Sequence, residues 1–182
     1  YAYLIVDKHS GEVAAVDPAD PDAVIAALRE LDCRDTGLHA GDNRRLRLTT
    51  ILTTHGHYDH DGGNAKMSRI FPGIRIVGGA GDGVIGATVQ AKHGDILMLG
   101  GEDSRGGVQI NILKTPCHTP HHVCYHVTCA DANGIGNNGG DGNNNHHALF
   151  SGDTLFVGGV GKFFEGEGEA MERSLFDVIL GT

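Results

Sequence analysis

The sequence predicts an α/β fold in which two mixed sheets pack face to face and helices cover their outer faces. Strand-like segments come in two groups along the chain, and each group is followed by a helical segment. The 182 residues, 40% of them hydrophobic, are enough for one domain with a sizeable core. Clustered His and Asp residues lie at a strand-to-helix turn of the first group, which predicts that functional side chains gather at the edge of a sheet.

The first group of strands opens with a predicted hairpin. Residues 3–7 and 12–17 are strand-like and are joined by a His-Ser-Gly turn. Asp20 is then in position to cap a helix whose first residue is Pro21, and apolar residues follow on one helical face. The other elements predicted for this group are a strand at 48–52, a helix at 62–71 and a strand at 74–77.

The second group of strands begins near residue 96. Residues 108–114 alternate apolar and polar side chains, which is the period of a half-buried strand. The stretch at about 131–147 is mostly Gly, Asn and Asp and predicts a flexible surface insertion. We therefore expect His146 and His147, at its end, to lack the fixed geometry of a metal site. The other elements predicted for this group are strands at 96–99, 122–128 and 148–151 and a helix at 171–180.

Charge and hydropathy argue against two classes of partner. Acidic residues outnumber basic residues by 23 to 14, and the formal net charge is −9. That balance argues against nucleic-acid binding, which depends on neutralising phosphates. No apolar stretch approaches the length of a transmembrane helix, so we expect no membrane partner. The sequence opens without Met and in mid-strand, which suggests a fragment or an excised domain.

Residue types that bind metals follow three of the predicted strands. His55-x-His57-x-Asp59-His60 follows the strand at 48–52, His118 follows the strand at 108–114, and Asp153 follows the strand at 148–151. Neutral imidazoles and carboxylates suit zinc, iron or manganese. A lone His-x-His would more often be a pair of polar loop residues. This concentration of donors at strand ends instead favours a metal site.

The order of these donors predicts two ions close together. His55 and His57, two residues apart on extended backbone, can point the same way. Asp59 and His60 come after the chain has turned, so they cannot easily serve the same ion. The expected ligands are His55, His57 and His118 for the first ion, Asp59 and His60 for the second, and Asp153 as a bridge between them.

Four sequence blocks together resemble one known family. They are Thr54-His55-Gly56-His57-Tyr58-Asp59-His60, Thr115-Pro116-Cys117-His118-Thr119, Gly152-Asp153-Thr154-Leu155-Phe156 and Gly161-Lys162-Phe163-Phe164-Glu165-Gly166. The first block, followed by Gly-Gly, resembles the signature of the metallo-β-lactamase superfamily. The fourth block narrows the resemblance to glyoxalase II, the hydroxyacylglutathione hydrolases. The resemblance implies a metallo-β-lactamase-like αββα sandwich that is truncated at the C-terminus.

The resemblance also implies a reaction. A hydroxide bound to two divalent ions, most simply zinc, with iron and manganese as alternatives, would attack the thioester carbonyl of an S-2-hydroxyacyl-glutathione. With S-lactoylglutathione the products would be D-lactate and glutathione, a step of methylglyoxal detoxification. Asp59 would bind the second ion and orient the water, and Lys162 would pair with a glutathione carboxylate. Phe164 stands where the family usually has Tyr and would present an aromatic face to the substrate.

The same resemblance sets the expected limits of the domain. Residues 1–182 would form one hydrolase domain. The family's last ligand to the second ion, a His in a Gly-His-Glu block, and its C-terminal glutathione-binding region would lie beyond Thr182. We expect a cytoplasmic monomer, with the mitochondrion as the alternative compartment.

Three other interpretations of the metal motif stay open. One is a persulfide dioxygenase of the same fold, with a single iron held by His55, His57, His118 and an aspartate. Another is a metal-binding fragment without catalytic activity. A β-lactamase is less well supported, because nothing after Asp153 resembles that branch better than the block around Lys162 resembles glyoxalase II.

Overall fold

Five strands form the first sheet of the computed structural model, which describes residues 1–33, 45–100, 107–130 and 145–181. β1 runs antiparallel to β2, whereas β2, β3, β4 and β5 run parallel to one another. Helices between β2 and β3 and between β3 and β4 return the chain to the same end of the sheet, as parallel pairing requires. In sheet order, the strands are β1 Tyr3–Val6, β2 Glu12–Val16, β3 Arg47–Leu52, β4 Arg75–Gly79 and β5 Val89–Ala91.

Among the described residues, four antiparallel strands form the second sheet. They are β6 Ile96–Leu99, β7 Val108–Lys114, β8 Val123–Ala130 and β9 Asn145–Phe150, in that spatial order. Each strand pairs with the next one along the chain, so the chain reverses direction at every connection. The prediction of two mixed sheets is therefore correct for the first sheet and wrong for the second.

The helices lie outside the two sheets. They are α1 Pro21–Cys33, α2 Tyr58–Asp61, α3 Asn64–Ile70 and α4 Gly168–Arg173, and α4 continues as a π-helical segment at Ser174–Ile179. The carboxylate of Asp20 accepts the backbone N–H groups of Asp22 and Ala23, which confirms the predicted cap of α1. The helix predicted at 62–71 is present as α3, and the sequence did not predict α2 before it, where the chain already turns helical directly after His57.

Two apolar clusters hold these layers together. One lies between the sheets and the other lies between the first sheet and its helices, so the predicted αββα sandwich is confirmed. The cluster between the sheets includes Ala14, Val16, Leu52, Val77, Leu99, Ile110, Ile112, Val123 and Tyr125. The cluster under the helices includes Val13, Ala15, Val24, Leu28, Ile51, Met67 and Ile76.

Two further sequence expectations concern the predicted insertion and membrane-spanning helices. Residues 131–144 of the predicted insertion lie outside the described residues, but 145–147 belong to β9. The insertion was therefore predicted to extend three residues too far. None of the helices in the described ranges combines the length and apolar character that a membrane crossing requires.

Candidate metal centre

The strand directions bring the predicted site residues to one edge of the sandwich. β2, β3 and β4 are parallel, so their carboxyl ends share an edge of the first sheet. β7 and β9 both run opposite to β8, so their carboxyl ends share an edge of the second sheet. The polar residues that follow these ends are Asp17 after β2, His55 and His57 after β3, Asp82 after β4, His118 after β7 and Asp153 after β9.

Three imidazoles form the first donor group. The Nε2 atom of His55 lies 3.0 Å from the Nδ1 atom of His57, which lies 3.1 Å from the Nε2 atom of His118. The donor atoms of these three residues all lie within 4.8 Å of one another. The structure therefore brings together the three residues that the sequence predicts for the first ion.

Hydrogen bonds on the far sides of two rings indicate where their protons are. His118 donates its Nδ1 proton to the backbone carbonyl of Lys162 at 2.7 Å. Thr54 donates its hydroxyl to Asp17 at 2.8 Å and can accept the Nδ1 proton of His55 at 3.1 Å. Both rings then present an Nε2 lone pair to the centre of the group.

This proton arrangement fits a cation. A proton on Nδ1 of His57 could satisfy the lone pair of His55 or that of His118, but not both. A cation at the centre of the group would satisfy all three nitrogens. Burial, reinforced by the charge of His122, lowers the pKa of His55 from 6.5 to about 2, so this ring stays in the neutral form that coordination requires.

A second donor group consists of His55, His60 and Asp153. His60 contacts the carboxylate of Asp17 through Nδ1 at 2.9 Å and that of Asp153 through Nε2 at 3.2 Å. The other oxygen of Asp153 lies 3.4 Å from Nε2 of His118. Asp153 thus lies between the two groups, where the predicted bridge would have to be, and its bridging role stays a prediction.

Charges and hydrogen bonds within the second group shift the pKa values of His60 and Asp153. Burial opposes the charging of His60, but hydrogen bonds to Asp153 and Asp17 raise its pKa from 6.5 to about 10. The hydrogen bond from His60 lowers the pKa of Asp153 from 3.8 to about 2, against the opposing effect of burial. The two carboxylates therefore favour a positive charge at this position, which either a proton on His60 or a divalent cation can supply.

Asp59 is the one predicted metal ligand that lies outside both donor groups. Its side chain is 82% exposed, and its nearer oxygen lies 3.7 Å from Nε2 of His60. Both residues belong to α2, where successive side chains point in different directions, so His60 faces the site while Asp59 faces solvent. Its roles as ligand and water-orienting residue stay predictions.

Asp17 is a supporting residue to which the sequence analysis gave no role. It is buried and has φ of 46°, an uncommon conformation for a residue other than glycine. Its carboxylate accepts both the backbone N–H and the hydroxyl of Thr54 at 2.8 Å and contacts His60. Its position at the end of the strand predicted at 12–17 was the available signal.

His122 is a second supporting residue. It is fully buried, and its ring stacks 5.0 Å from that of His55. Its Nε2 accepts the backbone N–H of Asp153 at 3.1 Å, and its Nδ1 lies 3.0 Å from the hydroxyl of Thr115. Burial, with a further contribution from the charge of His118, lowers its pKa from 6.5 to about 3. His122 is therefore a neutral group that holds the loop of Asp153 in place.

Asp82 connects the loops that carry the first donor group. One of its oxygens accepts the backbone N–H of Gly56, between His55 and His57, at 2.7 Å. The other oxygen accepts the hydroxyl of Thr119, next to His118, at 2.7 Å. The sequence offered no signal for this contact, because it joins loops from both sheets.

Replacing Asp82 by Ala is expected to loosen the first donor group. Gly56 and Thr119 would lose a charged acceptor, which should cost about 1–3 kcal/mol of unfolding free energy and about tenfold or more in zinc affinity. Urea denaturation and zinc titration against a chromophoric chelator would measure both effects. The matched control is Asp22→Ala, since Asp22 is exposed and pairs with Lys66 on the surface. Equal zinc affinities in the two variants would contradict the role given to Asp82.

The block predicted to bind substrate lies directly beside the donor groups. The Phe164 ring packs edge-on against His57 and His118, with ring centres 5.4 and 5.2 Å apart. The ammonium of Lys162 lies 4.7 Å from the centre of the Phe164 ring. Both side chains are exposed, so they can meet a ligand that approaches the site.

Curated relatives match almost the whole chain. The cytoplasmic hydroxyacylglutathione hydrolase of Arabidopsis thaliana is 41% identical over 175 residues, which are 96% of this chain and 56% of that protein. The probable hydroxyacylglutathione hydrolase glo2 of Schizosaccharomyces pombe is 35% identical over 179 residues, 98% of this chain and 58% of that protein. The chain thus spans less than two thirds of the length of these relatives.

Solved structures share the fold at lower identity. The B3 metallo-beta-lactamase BLEG-1 has a TM-score of 0.65 at 21% identity, covering 99% of this chain and 80% of its own. TTHA1623, crystallised in a di-iron-bound form, has a TM-score of 0.61 at 23% identity, covering 97% and 79%. The family profile described as the Metallo-beta-lactamase superfamily matches residues 1–135. On this match and on the fold, the chain belongs to the metallo-beta-lactamase superfamily.

Proposed function

We propose that this chain is a hydroxyacylglutathione hydrolase. It cleaves the thioester of S-2-hydroxyacyl-glutathione, such as S-lactoylglutathione, to a 2-hydroxy acid and glutathione, as a step of methylglyoxal detoxification. The observation that carries the proposal is the convergence of two His/Asp donor groups directly beside Lys162 and Phe164. Relatives named hydroxyacylglutathione hydrolase, matching 96–98% of the chain, support the choice of substrate.

Five donors in the two groups would hold two divalent ions. They are His55, His57 and His118 for the first ion and His60 for the second, with Asp153 between them. When bound, the ions would lower the pKa of a shared water and stabilise negative charge on the thioester oxygen. Asp59 would join the second ion and orient the water after its exposed carboxylate rotates toward His60.

The surrounding residues of the chain keep the donor atoms available. The carbonyl of Lys162 and the hydroxyl of Thr54 take the Nδ1 protons of His118 and His55, which leaves both Nε2 atoms free. Asp17 binds Nδ1 of His60 and so directs its Nε2 toward Asp153. Such outer contacts fix ring orientation and increase the basicity of the ligands.

The substrate side of the site suits a thioester of glutathione. Lys162 offers a cation for a glutathione carboxylate at the mouth of the site, and Phe164 offers an aromatic face. A thiol has a pKa of about 8.5, so glutathione leaves as a thiolate with little help from a general acid. The reaction therefore requires no general acid from the chain beyond the residues already described.

Further features of the function follow from the same relatives and donors. The imidazole and carboxylate donors of the two groups fit zinc, with iron or manganese as alternatives. The name of the Arabidopsis relative supports the cytoplasm as the compartment. We also propose that the chain acts as a monomer on a small substrate.

The test is a hydrolysis assay with S-lactoylglutathione. Zinc-loaded protein should consume the thioester and release one thiol per molecule, equally well with and without oxygen, whereas protein treated with a chelator should not. A cephalosporin at the same concentration should be hydrolysed far more slowly. An absence of thioester hydrolysis by fully loaded protein would refute the proposal, and a strict need for oxygen would favour the persulfide dioxygenase.

A further inference from the structure

Two histidines lie close together outside the candidate metal centre, on the outer face of the second sheet. His126 belongs to β8 and His147 to β9. His126 pairs with Leu149, and His147 pairs with Thr128, so the two histidines are diagonal neighbours on adjacent strands. Tyr125, which precedes His126, points into the core between the sheets, and so His126 points away from it.

The two imidazoles have their nitrogens close together. The Nε2 atom of His126 lies 3.2 Å from the Nδ1 atom of His147, and the two ring planes differ by 18°. Two nitrogens bound to one ion at about 2.0–2.1 Å, at right or tetrahedral angles, are separated by about 2.9–3.4 Å. The observed separation falls within that range.

We infer that His126 and His147 form a surface site for a divalent transition-metal ion such as Zn²⁺, Ni²⁺ or Cu²⁺, with water in the other coordination positions. The sequence predicted no fixed geometry for His147, because it placed this residue in the insertion. β9 already begins at Asn145, and its residues before and after His147 pair with β8. The backbone of His147 is therefore fixed relative to that of His126. A rigid backbone of this kind lowers the cost of bringing two ligands together.

The surroundings of the pair favour a metal ion. A cavity of about 400 Å³ adjoins His126 and is also lined by Asn111 and Asp177, so solvent reaches this side of the His126 ring. The formal net charge of −9 adds a general attraction for cations.

An ion at this site would have a structural effect. It would link β8 to β9 near the start of β9, and the far end of β9 leads to Asp153. Binding that occurs only in the folded state stabilises the fold by linkage. The site is independent of the proposed hydrolase activity, since its two ligands lie outside both donor groups.

Equilibrium dialysis of the whole chain with excess Zn²⁺ tests the inference. The unaltered chain should bind one zinc per molecule more than His126→Gln or His147→Gln, each tested alone. The matched control is His9→Gln, an exposed histidine in the hairpin turn, which should bind as much zinc as the unaltered chain.

The melting temperature supplies a second readout. Excess zinc should raise it less in His126→Gln and His147→Gln than in His9→Gln, while all of the chains melt at similar temperatures without added zinc. Equal zinc content in all four chains would show that the histidine pair is only hydrogen-bonded, and this result would overturn the inference. A loss of zinc in His9→Gln as large as in the pair variants would overturn it as well.

Discussion

His57→Ala is expected to lower kcat/KM for thioester hydrolysis by about 10³-fold or more and to remove bound metal. The Nδ1 atom of His57 lies within 3.1 Å of the free nitrogens of both His55 and His118. Its loss leaves the first donor group with two ligands. Elemental analysis of the purified variant, together with the hydrolysis assay, measures both effects.

The matched control for this variant is His9→Ala. This change removes an exposed imidazole in the turn between β1 and β2, which belongs to neither donor group. The control should keep the metal content and activity of the unaltered chain. Full metal content and full activity in His57→Ala would refute the assignment of the first donor group. Full metal content with lost activity would instead limit His57 to a role in turnover.

Gly152→Ala is expected to destabilise the fold strongly. Gly152 has φ of 48°, and a Cβ atom there would lie 2.6 Å from the Thr54 hydroxyl and 2.7 Å from Nε2 of His122. Both atoms belong to the contacts that hold Asp17 and Asp153 in place. We expect a loss of about 3 kcal/mol or more of unfolding free energy, because overpacking adds to backbone strain.

Gly158→Ala is the control that separates these two causes. Gly158 also has a positive φ, 79°, but a Cβ atom there meets nothing within 4 Å. This variant should lose only about 1–2 kcal/mol, the cost of the left-handed backbone. Urea denaturation of the metal-free proteins compares the two. Equal losses would show that close packing around Gly152 contributes nothing.

The parts of the fold that were predictable are those with strong local patterns. The bounds of β6 and β7 agree with the prediction, since both are short runs with an apolar or alternating pattern. The direction of pairing in the second sheet was not predictable, because hydrophobic period does not distinguish parallel from antiparallel strands. The start of β9 was also missed, because Asn145 to His147 have a polar composition that resembles a loop.

The candidate site divides in the same way. His118 and Asp153 were predicted from their positions after strand-like runs, and the structure places both beside His55, His57 or His60. The supporting residues Asp17, Asp82 and His122 act through contacts between loops that are distant along the chain, for which a single sequence carries no periodic signal. The outward orientation of Asp59 depends on where α2 begins, which local patterns do not determine.

The most direct test of the metal centre is anomalous diffraction at the zinc absorption edge from crystals of the zinc-loaded chain. We predict one peak among His55, His57 and His118 and a second peak beside His60, with Asp153 between the two. Thioester hydrolysis by the same preparation would connect these ions to the proposed reaction. An absence of zinc from both donor groups in protein that hydrolyses the thioester would contradict the account.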